Sequence, residues 1–84
     1  MTTTFDHAVF EKVAQGIEQT ANVEGDCLTP RLRLADDLGL GRFGRIKLCL
    51  YVEEMFSIEI PEEATERFDT IGDIVRYVSR RCRL

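Results

Sequence analysis

The chain has 84 residues, of which 44% are hydrophobic and 31% are charged, and its net charge is −4. This length gives room for one small core, so we treat residues 1–84 as a single domain, and the composition is that of a globular protein. No apolar run approaches the roughly 18 residues that cross a bilayer, and the first residues show no leader segment. These features argue against a membrane protein and favour a cytoplasmic location.

The charged residues are divided into blocks along the chain. Residues 30–52 hold five basic residues against two acidic ones, whereas residues 53–73 hold one basic residue against eight acidic ones. The first 29 residues are acidic and the last 11 are strongly basic. Segregation of this kind indicates protein partners or pairing within the molecule.

Metal and redox chemistry finds little support in the sequence. The three cysteines, Cys27, Cys49 and Cys82, have spacings that match no zinc or redox motif. Cys49 lies in an apolar stretch, where we expect it to pack as a small hydrophobic residue. The one histidine, His7, has no cysteine or second histidine near it in the sequence. We therefore expect no metal site.

The first predicted helix runs from about Phe5 to Thr20. Thr3 and Asp6 form a Thr-x-x-Asp signal before it, which is a variant of the capping box. Its apolar residues recur at the spacing of one helical face, namely Phe10, Val13, Ala14 and Ile17.

A long connection, residues 21–41, follows this helix. Pro30 and Gly39 are expected to set its turns. Its leucines can attach it to the core, so we expect a packed loop; they are Leu28, Leu32, Leu34 and Leu38.

The second predicted helix, Arg42 to Phe56, is apolar around much of its circumference, which is typical of a central helix. We expect Val52 and Phe56 to lie in the core. Pro61 ends this region and opens a short third helix, Glu62 to Arg67.

The last helix begins after Thr70, which forms a second Thr-x-x-Asp signal with Asp73. Its apolar residues again follow one helical face and are Ile71, Ile74, Val75, Val78 and Cys82. The sequence therefore predicts an all-α fold, a four-helix bundle with a long first loop, a short third helix and no strands.

Residues 28–78 contain an ungapped series of short motifs. They are Asp37-Leu38-Gly39, Glu53-Glu54-Met55-Phe56, Ile60-Pro61 and Thr70-Ile71. In this order and spacing they resemble the acyl carrier protein family, whose members have an acidic-Leu-Gly segment, a helix ending Glu-Glu-x-Phe, an Ile-Pro turn and a Thr-(Val/Ile) start to the last helix. The resemblance implies the same four-helix fold.

The same register places Gly41-Arg42-Phe43 where the family has Asp-Ser-Leu. In the family, that serine receives 4′-phosphopantetheine. Arg42 has no hydroxyl group, so the resemblance implies a member to which this group cannot be attached at the family position. Thr29, Ser57 and Ser79 lie too far away in the sequence to replace the serine by a small shift of register.

The second helix also differs from the family in its charge, because it opens with basic rather than acidic residues. We expect a protein partner to bind through this helix, at Arg42, Phe43, Arg45, Lys47, Glu53 and Glu54. Arg42 and Arg45 are three residues apart and are expected to converge on one anion or acidic surface. The alternative is evolutionary drift of a duplicate that lost its serine and keeps only the fold. In that case these residues are ordinary surface charges partly paired with Asp36 and Asp37.

The function favoured by the sequence is a monomeric, non-carrier adaptor or regulator without a cofactor. The alternative is an acyl or peptidyl carrier in fatty acid, polyketide or nonribosomal peptide synthesis that uses an atypical attachment site. Nucleic-acid binding is disfavoured by the net negative charge. An enzyme is disfavoured because no nucleophile-base pair, metal cluster or Gly-rich phosphate loop is visible.

Overall fold

Four α-helices make up the fold in a computed structural model that describes residues 7–21, 23–24 and 27–81. The helices are α1 (His7–Ala21), α2 (Arg42–Phe56), α3 (Glu62–Arg67) and α4 (Ile71–Arg81). The described residues contain no strand, only an isolated bridge between Arg33 and Thr70. The predicted all-α class and the bounds of α2 and α3 are confirmed. The start signal predicted at Thr3 and Asp6 and the helical position of Cys82 lie outside the described residues.

The core is formed where α1 packs against both α2 and α4, while α2 also packs against α3. The predicted faces of α1 and α4 are the buried ones, although Phe10 is only half-buried. Val52 of α2 is fully buried as expected, but Phe56 is half-buried and lies at the margin of the core. None of the described helices is long and apolar enough to span a membrane. The side chains with no more than 1% exposure are Val13, Ile17, Leu34, Leu48, Val52, Ile71, Ile74, Val75 and Val78.

The long loop between α1 and α2 is attached to the start of α4 by backbone hydrogen bonds. The N–H of Leu34 donates to the carbonyl of Asp69 (2.8 Å), and the N–H of Gly72 donates to the carbonyl of Pro30 (2.9 Å). Leu34 is also buried, and Gly39 adopts a left-handed conformation with φ of 69°. The expectation of a packed loop is therefore confirmed.

The capping box predicted at the start of α4 is present. The N–H of Thr70 donates to Oδ2 of Asp73 (3.0 Å), and the N–H of Asp73 donates back to Oγ1 of Thr70 (3.2 Å). The N–H of Asp69 donates to the same carboxylate (2.9 Å). Burial raises the pKa of Asp73, but the hydrogen bonds from Asp69, Thr70 and Arg76 outweigh it and hold the pKa below its ordinary value.

The end of α2 is closed by Ser57 in the left-handed conformation, with φ of 56° and ψ of 47°. The N–H groups of Ser57 and Ile58 both donate to the carbonyl of Glu53. This turn leads into Pro61, which immediately precedes α3. The fold thus presents α2 as a helix closed at its C-terminal end, with one side against the core and the other open to solvent.

Candidate functional site

The outer face of α2, which we define as Phe43, Lys47, Leu50 and Glu54, carries the most exposed large apolar side chains described. Phe43 is 81% exposed and Leu50 is 55% exposed. The four residues recur at i, i+4, i+7 and i+11, so they share one side of the helix. Two apolar side chains therefore alternate with a cation and a carboxylate on a surface that faces solvent.

Tyr51 lies at the edge of this outer face. Its side chain is 39% exposed. A Cβ atom at Gly16 of α1 would lie only 3.0 Å from Cδ1 of Tyr51, so the ring lies against α1 at a position where the absence of a side chain makes room for it. Tyr51 thus extends the exposed apolar surface from α2 towards α1.

The prediction that α2 is a central helix is confirmed, because it packs against both α1 and α3, but its buried side is narrower than its apolar composition suggests. Only Leu48, Cys49 and Val52 of this helix are buried. Leu50 belongs to the apolar set of this helix and is nevertheless exposed, and Tyr51, for which the sequence predicts no role, is exposed as well. The spacing in the sequence indicates the position of Leu50. It is seven residues after Phe43 and three after Lys47, which places all three on one side of the helix.

Arg42 is the first residue of α2. The residue before it, Gly41, provides no side-chain cap for the helix. Nη2 of Arg42 lies 3.7 Å from Oε2 of Glu62, and the two side chains are 67% and 70% exposed. An ion pair this long and this exposed contributes little to stability. The guanidinium of Arg42 is therefore available at the surface.

Arg45 occupies a different position from the one expected of it. Its side chain is half-buried, and Nη1 donates to the carbonyl of Phe68 (3.2 Å). Its Nε is buried and has no hydrogen-bond partner among the described residues. The predicted convergence of Arg42 and Arg45 is not found, because Arg45 is directed across the molecule to the connection between α3 and α4.

Glu53 likewise serves the fold. Its Oε2 accepts a hydrogen bond from the N–H of Ile60 (2.6 Å), across the turn that follows α2. Lys47 and Glu54, in contrast, are exposed. The six residues proposed for partner binding thus divide into two groups. Those at the open surface are Arg42, Phe43, Lys47 and Glu54, and those that hold the backbone are Arg45 and Glu53.

Asp36 and Asp37 do not pair with the cations of α2. Oδ2 of Asp36 lies 3.1 Å from Nη1 of Arg33, and Oδ2 of Asp37 accepts the N–H of Arg33 (2.7 Å). The side-chain hydrogen bond that Arg33 donates to Asp36 is the main cause that raises the pKa of Arg33. The basic residues at the start of α2 are therefore not neutralised by these two carboxylates.

The cysteines provide no metal site within the described residues, where no group of three or more His, Cys, Asp or Glu side chains could hold an ion. Cys49 is buried in the core, and burial raises the pKa of its thiol. Its packing as a small hydrophobic residue is as expected. Cys27 is exposed, and Cys82 lies outside the described residues.

Known proteins resemble this chain over most of its length. It is 35% identical over 71 residues to an acyl carrier protein of Helicobacter pylori, covering 84% of this chain and 91% of the relative. It is 32% identical, again over 71 residues, to an acyl carrier protein of Wolinella succinogenes, covering 84% and 93% of the two chains. No protein-family model matches the sequence.

A solved structure supports the same relationship. The fold superposes on an acyl carrier protein from Enterococcus faecalis with a TM-score of 0.73 and 31% sequence identity, covering 88% of this chain and 94% of the other. Sequence and fold therefore agree over nearly the whole chain, and the protein belongs to the acyl carrier protein family.

Proposed function

We propose that this chain is a non-carrier member of its family, an adaptor or regulator that binds a partner protein through the outer face of α2. The observation that carries the proposal is the exposure of Phe43, 81%, beside Leu50 at 55%. Exposed apolar residues that cluster on one surface are typical of protein interaction sites. Both side chains would be buried when a partner binds.

The residues at the start of α2 support the proposal that this chain carries no prosthetic group. Attachment of 4′-phosphopantetheine through a phosphodiester requires a hydroxyl oxygen, and Gly41, Arg42 and Phe43 supply none. These residues therefore do not fit covalent attachment at the family position. The helix dipole disfavours a cation at the start of a helix, so helix stability does not explain the presence of Arg42.

The charges around the outer face suggest what the partner surface is like. Arg42 and Lys47 lie near Phe43, and Glu54 lies towards the far end of the helix. A complementary surface would offer an apolar pocket with carboxylates on one side and a cation on the other, because complementary charges favour the correct orientation of two proteins. We propose that this chain binds its partner as a monomer and that the interaction takes place in the cytoplasm.

A second candidate function is a carrier with an atypical attachment site, which is supported by the names of the two relatives reported above, both acyl carrier proteins. Of the three hydroxyl residues considered from the sequence, Thr29 and Ser57 are exposed, whereas Oγ of Ser79 is buried. Thr29 and Ser57 are thus the two of these residues that a transferase could reach.

The outer face can be tested by quantitative cross-linking and mass spectrometry in an extract of the native organism. We expect Phe43→Ser combined with Leu50→Ser to remove at least one partner that the wild type captures. Gln15→Ser, at an exposed position on α1, is the matched control and should capture the same set as the wild type. Circular dichroism should show equal helix content in all three proteins. Identical partner sets for all three would refute the role of this face.

A further inference from the structure

A groove of about 290 Å³ lies between α3 and α4. Its α3 side is formed by Pro61, Ala64 and Arg67, and its α4 side by Tyr77 and Arg81. This size is near the lower end of the range for small-molecule sites, so the groove suits a small ligand and not a folded segment of protein.

The aromatic rings of the groove are held in place by their contacts with each other. Phe68 and Tyr77 meet edge to face, with ring centroids 5.5 Å apart and an angle of 72° between their planes. The guanidinium carbon of Arg81 lies 4.9 Å from the centre of the Tyr77 ring. Cation–π contact orders the arginine over the ring, so an apolar surface and a positive charge are presented together.

The charged groups of the groove are two guanidinium groups and one carboxylate. Arg67 and Arg81 are both exposed, and neither makes an ion pair within the described part of the chain. Glu63 is the one acidic residue of the lining, so the groove has a net charge of +1. A singly charged anion balances this charge, whereas a doubly charged one would leave an excess next to Glu63.

The hydroxyl group of Tyr77 does not contribute to the recognition of a ligand. Its oxygen is buried and has no hydrogen-bond partner among the described residues. The polar part of a ligand would therefore be bound by Arg67 and Arg81 alone. Their planar guanidinium groups match the two oxygens of a carboxylate.

We propose that the groove between α3 and α4 binds a small carboxylate that carries an aromatic ring on a short alkyl chain. The aromatic ring packs against Phe68, Tyr77 and Ala64, and the carboxylate accepts hydrogen bonds from Arg67 and Arg81. This site shares no residue with the outer face of α2.

The proposal can be tested by NMR titration of the ¹⁵N-labelled protein with 3-phenylpropionate at physiological salt. We expect saturable shifts at the amides of Ala64, Phe68 and Tyr77. The neutral amide of the same acid keeps the shape of the ligand but lacks its charge, and it should give much weaker binding. Absence of saturable shifts at these amides, or equal binding of the acid and its amide, would overturn the proposal.

Variants identify the groups that bind the carboxylate. We expect Arg81→Gln and Arg67→Gln each to weaken binding about fivefold or more. Arg67→Lys keeps the charge and should weaken it less. Arg80→Gln is the matched control, since Arg80 is exposed on α4 but does not line the groove. The NMR spectra also report whether each variant is folded. Equal weakening by Arg80→Gln and Arg81→Gln would show that the groove is not the site.

Discussion

Arg42 and Arg45 are alike in the sequence but differ in what surrounds them. Arg45 is half-buried and donates to the carbonyl of Phe68, which links α2 to the connection before α4. Arg42 is exposed and makes only a long ion pair with Glu62. Arg45 therefore stabilises the fold, whereas Arg42 belongs to the surface.

This difference predicts unequal effects of truncation on stability. Arg45→Ala should lower the free energy of unfolding by about 1–3 kcal/mol, because it removes a hydrogen bond from a charged donor and the packing of a long side chain. Arg42→Ala should change it by no more than about 0.5 kcal/mol. Urea denaturation of both variants measures the two values. Equal losses would mean that Arg45 has no structural role beyond that of Arg42.

Spacing in the sequence places residues on a helix but does not show which charged residues bond to distant backbone. Arg45 and Glu53 were grouped with the surface charges because both are charged residues of α2. Their acceptor and donor, Phe68 and Ile60, belong to segments whose positions depend on the tertiary fold. The exposure of Phe43 agrees with its proposed role, and the exposure of Leu50 follows from its position seven residues later on the same side of the helix.

Among the elements, α4 was the best predicted because its signals are local. The Thr70–Asp73 capping box and the apolar stripe are read within a dozen residues, and both are found in the structure. The bounds of α2 and α3 were also predicted correctly, since Pro61 separates them.

The capping carboxylate of α4 gives a prediction of pH dependence. The pKa of Asp73 is lowered in the folded protein. Its contribution to stability is therefore fully present above the ordinary pKa of about 3.9 and is lost as the pH falls through the lower pKa of the folded state. We expect Asp73→Asn to lower the melting temperature at pH 7. Between about pH 5 and pH 2, the melting temperature of this variant should fall less than that of the wild type. Glu66→Gln, at an exposed position of α3, is a suitable control. The same fall in Asp73→Asn as in the wild type would contradict this role.

The loop before α2 provides a second test at the scale of elements. Leu34 and Gly72 donate their amide hydrogens across the contact between the loop and α4. We expect these amides to exchange with solvent about as slowly as those inside α4, because their hydrogen bonds open only when this contact is broken. The amide of Arg31, which has no hydrogen-bond acceptor within the described part of the chain, should exchange quickly. Exchange of Leu34 and Gly72 as fast as that of Arg31 would show that the loop is not held to α4.

For the whole molecule, the fold could be predicted because the apolar pattern and the family motifs give the same answer. The groove between α3 and α4 could not, because it depends on how Phe68, in the connection after α3, meets Tyr77 of α4. The proposed function rests on two features together, a family fold with an exposed apolar face on α2 and an arginine where the family resemblance predicts serine.

The central claim, that this family member acts without a prosthetic group, is tested most directly by intact-mass spectrometry. The protein is incubated with a broad-specificity phosphopantetheinyl transferase and coenzyme A, beside a serine-bearing acyl carrier protein as positive control. We expect the mass of this chain to stay unchanged while the control is converted fully, because Arg42 offers no hydroxyl group. A gain of one phosphopantetheine, mapped to any residue of the chain, would contradict the account and support the atypical carrier instead.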